Sequence, residues 1–277
     1  MLDYFGKDIQ NLKEKKIFFF DLDGTTYNEN TLFEGAKELF EFLADHERKV
    51  VFLTNNSSRS VTEYVDKLNR MGVVCDRDNF FTSTQATVMY LKEQGLTKGI
   101  YAQGTAAFVK ELKESGLSLE FEDENQVQAI VVAFDTELTF EKMRRTSYLL
   151  GKNVPYIATN PDLVCPVSFG FVPDCGSMCI GYENATKRKP LYIGKPNRIM
   201  MDYALKRFGF EREEAVMVGD RLYTDIASGI NAQMDTICVL SGESSIDDVK
   251  ASPYKATYVL NSIKDIYDFF LSLSLGK

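Results

Sequence analysis

The run Ile17-Phe18-Phe19-Phe20 stops on Asp21-Leu22-Asp23-Gly24-Thr25-Thr26, and this junction restricts the fold more than any other stretch of the chain. A short apolar run bounded by turn residues reads as a strand buried on both faces, the kind found in parallel sheets. Ligands of open α/β sheets bind just outside the carboxyl ends of such strands. Asp21 and Asp23 are therefore expected beside a ligand, with Gly24 letting the backbone turn sharply away. Taken alone, the stretch equally fits a strand ending in an Asp-rich turn, because Asp and Gly are ordinary turn residues.

Three further runs repeat the pattern with different chemistry. Lys49–Leu53 ends in Thr54-Asn55-Asn56, Leu191–Ile193 leads into Gly194-Lys195-Pro196, and Ala215–Val218 ends in Gly219-Asp220 with Asp225 close behind. In a parallel sheet these ends lie side by side, so the four loops are expected to converge on one crevice. Carboxylates packed there repel one another unless a divalent cation neutralises them, and hard oxygen ligands suit Mg²⁺. A lysine and a strand-end threonine beside the metal can hold the oxygens of an anion. The set describes a phosphoryl-transfer site in which one carboxylate attacks phosphorus and the other carries the proton.

The rest of the chain supplies the connecting helices. Helical spacing is expected over residues 35–43, 60–71, 84–94 and 262–273, and after Pro196, which suits a first helical turn, as far as a stop at Gly209. Residues 99–101, 129–134 and 154–159 read as strands, with helices at 106–115 and 140–151 between them and a polar linker after Gly181. This is an α/β unit of about 100 residues, large enough for a domain of its own. The expected division is a core of 1–84 plus 186–277 and an inserted domain of 85–185.

Bulk properties exclude several classes. A net charge of −8 argues against a general nucleic-acid polymer binder, which carries a basic surface; a small anionic substrate stays compatible through a local cation. No apolar run approaches the roughly 20 residues of a membrane span. The acidic N-terminus lacks a signal-peptide apolar region, so a cytoplasmic enzyme without membrane partners is expected. Five cysteines, an odd set without a dense framework, favour reduced thiols. Cys175 and Cys179 have no second pair and no nearby histidine, so they are expected to pack and not to bind zinc.

The motifs Asp21-Leu22-Asp23-Gly24-Thr25-Thr26, Leu53-Thr54-Asn55-Asn56, Gly194-Lys195-Pro196-Asn197 and Gly219-Asp220-Arg221-Leu222-Tyr223-Thr224-Asp225-Ile226 resemble, in order, the four motifs of haloacid dehalogenase-like (HAD) phosphatases. Ala158-Thr159-Asn160-Pro161-Asp162 together with Gly194-Lys195-Pro196 is similar in particular to the NagD/4-nitrophenylphosphatase branch, subfamily IIA. The likeness runs from about residue 16 to about residue 260; the lead-in before Lys16 lies outside it. It implies a Rossmann-like parallel-sheet core with an inserted α/β cap of type C2. It also implies Asp21 as a nucleophile forming an aspartyl-phosphate, Asp23 as proton donor and then acceptor, and Mg²⁺ held by the side chains of Asp21 and Asp220 and the backbone carbonyl of Asp23. Asp225 would support the metal's waters or orient Lys195. Thr54, the backbone at Asn55, and Lys195 would bind phosphoryl oxygens.

Simpler readings stand beside these. Asp225 could cap a helix, Thr54 could cap, Lys195 could be solvated, and Asn160 and Asp162 could form only a turn. Asp174-Cys175-Gly176 lies where cap-domain substrate loops are expected in the family. Thr26 stands where relatives usually carry Leu, Ile or Val, which points to altered loop packing with the chemistry intact. The expected substrate is a small phosphorylated metabolite: a nucleoside monophosphate, a sugar phosphate, phosphoglycolate or the artificial 4-nitrophenyl phosphate. A homodimer is compatible. The competing function is a non-catalytic metabolite-binding or regulatory member of the fold. A dehalogenase is disfavoured by Asp23, since that reaction has no leaving alkoxide to protonate.

Overall fold

The computed structural model describes residues 1–275; positions 276 and 277 of the expected core lie outside the described residues. Along the chain the strands are β1 (Ile17–Phe20), β2 (Lys49–Thr54), β3 (Phe80–Thr82), β4 (Ile100–Gln103), β5 (Ala129–Val132), β6 (Tyr156–Ala158), β7 (Val164–Val167), β8 (Gly170–Pro173), β9 (Leu191–Tyr192), β10 (Ala215–Gly219), β11 (Asp235–Val239) and β12 (Tyr258–Leu260), with a small hairpin at Tyr27–Asn28 and Thr31–Leu32. They fall into two compact units. The first holds Met1–Thr54, Val61–Phe81 and the chain from Pro196 onward; the second holds Asn55–Ser60 and Thr82–Lys195.

The first unit carries a six-stranded sheet in the order β12-β11-β10-β1-β2-β3. Phe20 stands opposite both Val218 of β10 and Phe52 of β2 in parallel register. The chain moves outward on one side from β1 to β2 and β3, and on the other from β10 to β11 and β12. The order therefore reverses between β1 and β10, where open α/β sheets bind ligands. All four residues of β1 are buried, as the unbroken apolar run predicts. Phe20 packs edge-on to Phe40 at 5.0 Å, Phe40 edge-on to Phe52 at 5.1 Å, and Phe18 edge-on to Phe270 at 5.8 Å. Phe40 comes from the helix Ala36–Asp45 and Phe270 from Ile263–Leu275. Each such burial is worth about 1.5–3 kcal/mol, which fixes the strand whose end carries Asp21.

The lead-in before β1 has a definite role. Asp3 Oδ1 accepts from the backbone N–H groups of Phe5 and Lys7, and Oδ2 accepts from Val259 N–H at 3.1 Å. Tyr4 N–H donates to Val259 O at 2.8 Å. Part of the outer edge of β12 is thereby closed, an exposed pairing surface that natural sheets protect.

The second unit has its own sheet, β9-β6-β5-β4, parallel throughout. Besides the strand Leu191–Tyr192, which the sequence sets in one sheet with β1, β2 and β10 but which forms the edge of this second sheet beside β6, two features depart from the sequence reading. In place of a polar linker after Gly181, the helix Cys175–Thr186 runs on to Lys187 at φ 62. Cys175, Cys179 and Tyr182 form its buried face while Glu183, Asn184 and Thr186 stay outside that buried set. The polar residues are the outer face of a helix and not a loop. The hairpin β7–β8 is also absent from the sequence reading, since Pro166, Gly170 and Pro173 read as loop residues; Cys165 and Val172 pair across it and pack on the cap core. A further difference lies in the first unit. Pro196 precedes the helix, which starts at Arg198 and is capped by Asn197 Oδ1 accepting from Ile199 N–H at 3.1 Å.

Candidate active site

β1 and β10 deliver their terminal carboxylates to one place. One oxygen each from Asp21, Asp220 and Asp225 lies within 4.8 Å of the others. Asp21 continues the parallel ladder, its N–H donating to Val218 O at 2.9 Å. Asp23, immediately before the turn at Gly24-Thr25-Thr26, is exposed, whereas Asp21 is half-buried. Asp225 does not cap a helix. It sits in a π-helical turn, Leu222–Ile226, a rare geometry that recurs at functional sites, and its Oδ2 accepts from Arg221 N–H at 3.1 Å.

Asp220 occupies a cradle cut to its size. Its Oδ1 accepts from Thr25 Oγ1 at 3.0 Å and its Oδ2 from Glu243 N–H at 2.8 Å. Gly24 and Gly242 press against it from two loops: a Cβ on Gly24, already at φ +85, would come within 2.3 Å of Asp220 Oδ2, and one on Gly242 within 2.1 Å. Burial, reinforced by the charge of Asp225, pushes the Asp220 carboxyl up to about 6. Two hydrogen bonds oppose the shift and do not cancel it. Buried like charges with a residual penalty of this kind are what a hard divalent cation relieves, and an all-oxygen donor set suits Mg²⁺ better than a soft metal.

Residues outside the roles assigned from the four motifs complete this cluster. Burial pulls the Arg221 guanidinium down, but the charges of Asp21, Asp225, Asp220 and Glu243 leave it raised above its ordinary value. Its Nε lies 2.9 Å from Glu243 Oε2. Ser241 Oγ donates to Gly24 O at 2.9 Å. The loop after β11 is thus a further strand end at the same edge of the sheet, and the rule that singles out the ends of β1 and β10 applies to it too.

The second unit assembles the remaining expected residues around Asn55. Its side-chain amide grips the backbone of Lys195 from both sides: Oδ1 accepts from Lys195 N–H at 2.8 Å and Nδ2 donates to Lys195 O at 2.8 Å. The same Nδ2 reaches Asp162 Oδ2 at 3.0 Å. Asn55 O accepts from Asn160 Nδ2 and Ser83 Oγ, both at 2.6 Å. These bonds explain why Asn55–Ser60 belongs to the second unit although it follows β2 directly. Gly194 is required here, since a Cβ would lie 2.5 Å from Asn55 Oδ1 and 2.7 Å from Thr159 O. Lys195 is buried, as is Thr54, which ends β2 in the first unit.

Asn160 Oδ1 also accepts from Asp162 N–H at 3.2 Å, so the Asn-Pro-Asp turn and the Asn55 contacts coexist. Asp174 caps the helix Cys175–Thr186 through Cys175 N–H. Gly176 N–H donates to Asp162 O at 2.8 Å, and the Cys175 thiol to Val132 O at 3.4 Å. Cys175 and Cys179 are buried in the apolar core of the unit, as packing residues are. Among the described residues no helix is long and apolar enough to cross a membrane.

Comparison with known proteins agrees with this geometry. A family model described as haloacid dehalogenase-like hydrolase matches residues 18–118, and an HAD-hydrolase-like model matches residues 192–266. The acid sugar phosphatase of Staphylococcus aureus strain MRSA252 is 33% identical over 262 residues, 95% of this chain and 99% of the relative. Among solved structures, a 4-nitrophenylphosphatase from Thermotoga maritima superposes with a TM-score of 0.88 at 36% identity, covering 94% of this chain and 98% of that one. NagD from E. coli K-12 gives a TM-score of 0.84 at 32% identity, covering 91% and 98%.

Proposed function

The chain belongs to the haloacid dehalogenase-like hydrolases, in the NagD/4-nitrophenylphosphatase-like subfamily IIA, and from that membership we propose that it hydrolyses small phosphomonoesters with Mg²⁺ through an aspartyl-phosphate on Asp21. As a phosphatase of this family it is a phosphoric monoester hydrolase with a parallel-sheet core and an inserted α/β cap. Residues 1–84 and 186–277 are the proposed core, and 85–185 the proposed cap. The observation that carries the reading is the carboxylate trio at the point where the strand order reverses.

Asp21, Asp220 and the backbone carbonyl of Asp23 are the proposed metal holders, with Asp225 in support. A bound Mg²⁺ neutralises the carboxylates and the charge on the phosphoryl oxygens. The chain's own groups do the rest. Asp21 attacks phosphorus while Asp23 gives its proton to the departing alkoxide oxygen. Asp23 then takes a proton from the water that cleaves the acyl-phosphate bond, releasing phosphate and restoring both carboxyls. Its exposure suits a group that exchanges protons with solvent in every cycle. Thr54, the Asn55 backbone and Lys195 are read as ligands of the phosphoryl oxygens. The Asn55 side chain is already engaged with Lys195 and Asp162, and its carbonyl with Asn160 and Ser83, so its backbone N–H is the group proposed for that role.

The substrate proposed is a small phosphorylated metabolite handled in the cytoplasm, and the relatives named acid sugar phosphatase put sugar phosphates at the head of the candidates. The test is a phosphate-release screen over several dozen phosphomonoesters with and without Mg²⁺, repeated with Asp21→Asn. The expected result is release that needs both the metal and Asp21. Metal-dependent release retained by Asp21→Asn would overturn the nucleophile assignment, and no release from any ester would favour a binding protein.

A further inference from the structure

The mechanism proposed above leaves Arg221 and Glu243 unused, yet both are built into the carboxylate cluster. Arg221 follows Asp220 in the chain, and its N–H is held by Asp225 Oδ2 at 3.1 Å. Its side chain starts from among three carboxylates. A guanidinium cannot be deprotonated in a protein, so Arg221 is a permanent cation beside a site that has to accept a divalent one. Glu243 meets it with both halves of the residue. Glu243 N–H donates to Asp220 Oδ2 at 2.8 Å, Oε2 lies 2.9 Å from Arg221 Nε, and Oε1 accepts from Tyr223 O–H at 2.7 Å. Two glycines fix the backbone from which this contact is made, since neither Gly24 nor Gly242 has room for a Cβ against Asp220.

We propose that the Glu243–Tyr223 clamp on Arg221 sets the cation affinity of the site: Glu243 draws the guanidinium away from Asp21, Asp220 and Asp225, where it would compete with the metal. Arg221 is a resident counter-ion of the carboxylate cluster, and Glu243 is the positioning residue that limits its reach. The loop after β11 then does two jobs, orienting Asp220 by its backbone and restraining Arg221 by its side chain. This inference rests on the Asp21–Asp220–Asp225 cluster being a metal site.

The experiment is a calorimetric titration of the full-length protein with Mg²⁺ alone, without substrate. Glu243→Gln keeps the backbone bond to Asp220 and removes only the charge. It is expected to weaken Mg²⁺ binding about fivefold, the size of a partly exposed ion pair. Arg221→Gln is expected to tighten binding about fivefold, and Glu243→Gln on the Arg221→Gln background should have no further effect. Tyr223→Phe, which keeps every charge, should move the affinity in the same direction as Glu243→Gln but less, and it serves as the readout should Glu243→Gln fail to fold. An unchanged affinity in Glu243→Gln overturns the proposal. So does an equal weakening with and without Arg221, because Glu243 would then act by its own charge. If the parent protein shows no Mg²⁺ binding that Asp220→Asn abolishes, the metal reading falls and this inference with it.

Discussion

The carboxylate loops of the first unit and the Asn55 bracket of the second bury polar groups in opposite ways. In the bracket, donors and acceptors match: the Asn55 side-chain amide closes on both backbone groups of Lys195 and on Asp162, and the Asn55 backbone carbonyl takes two donors. Such a network rigidifies because every member is paired. In the carboxylate cluster three acceptors of like charge lie within 4.8 Å, and burial with the Asp225 charge still holds Asp220 at about 6 despite two hydrogen bonds. The contrast separates scaffold from chemistry. Where the fold needs a loop kept in place it saturates the hydrogen bonds; at the cluster proposed to take up an ion it leaves charge unbalanced.

The largest effect is expected at Asp21. If the acidic cluster is kept for chemistry at the expense of stability, Asp21→Asn should lower metal-dependent turnover by about 10⁴-fold or more while leaving the melting temperature unchanged or raised. A variant that melts much earlier would mean the cluster is structural. The bracket predicts the reverse balance. Asn55→Ala removes three side-chain bonds, two of them to the backbone of Lys195, which is expected to cost about 2–4 kcal/mol in urea unfolding. A loss below about 1 kcal/mol would show that the bracket does not hold the loop.

The same contrast decides which parts of the fold and site are legible in the sequence. Ile17–Phe20 and Ala215–Val218 are legible because an apolar run ending on carboxylates combines two signals, burial and a ligand end. The carboxylate trio follows from placing those ends side by side. The bracket is not legible, because Asn55, Asn160 and Asp162 are ordinary turn residues whose pairing depends on chain separations of about 100 residues. Arg221 stands in view as part of a motif, but its role depends on Glu243, and nothing in Ser241-Gly242-Glu243 distinguishes it from a polar turn. The helix Cys175–Thr186 escapes for another reason: two glycines and a polar outer face hide a three-residue apolar stripe.

A smaller effect of opposite sign is expected at Asp220. Its carboxyl is raised from 3.8 to about 6, so the folded, metal-free protein holds a proton there more tightly than the unfolded chain does. Stability from that proton is complete below about pH 4 and is lost as the pH rises to about 6, at an overall cost on the order of 2–3 kcal/mol. Asp220→Asn is neutral throughout this window. Allowing about 1 kcal/mol for weakened bonds to Thr25 and Glu243, the variant should be more stable than the parent by about 1–2 kcal/mol at pH 7.5 in chelator, and this advantage should reverse to a deficit of up to about 1 kcal/mol at and below pH 4. Added Mg²⁺ should raise the melting temperature of the parent alone. If the variant is less stable than the parent at pH 7.5 as well, the cluster carries no unrelieved charge and the contrast with the bracket fails.

The finest distinction is drawn by Thr26, a residue of the acidic loop that behaves like a member of the bracket. It is fully buried, and its hydroxyl donates to Asp21 O at 2.7 Å while its own N–H donates to Leu22 O at 2.8 Å. The hydroxyl therefore pairs the carbonyl of the proposed nucleophile, which accounts for a threonine where an aliphatic side chain is expected. Thr26→Val keeps the shape and removes that donor, so it should cost about 1 kcal/mol in unfolding. Asp21 is still tied to β10 through Val218 O, and turnover should fall by less than about threefold, since Asp21 loses one neutral hydrogen bond to its carbonyl and none of its charge partners. Stability and rate would thus respond in the proportion expected of scaffold. A loss in rate of about 100-fold with unchanged stability would instead make Thr26 part of the chemistry, and the line between saturated scaffold and unbalanced site would have to be redrawn inside a single loop.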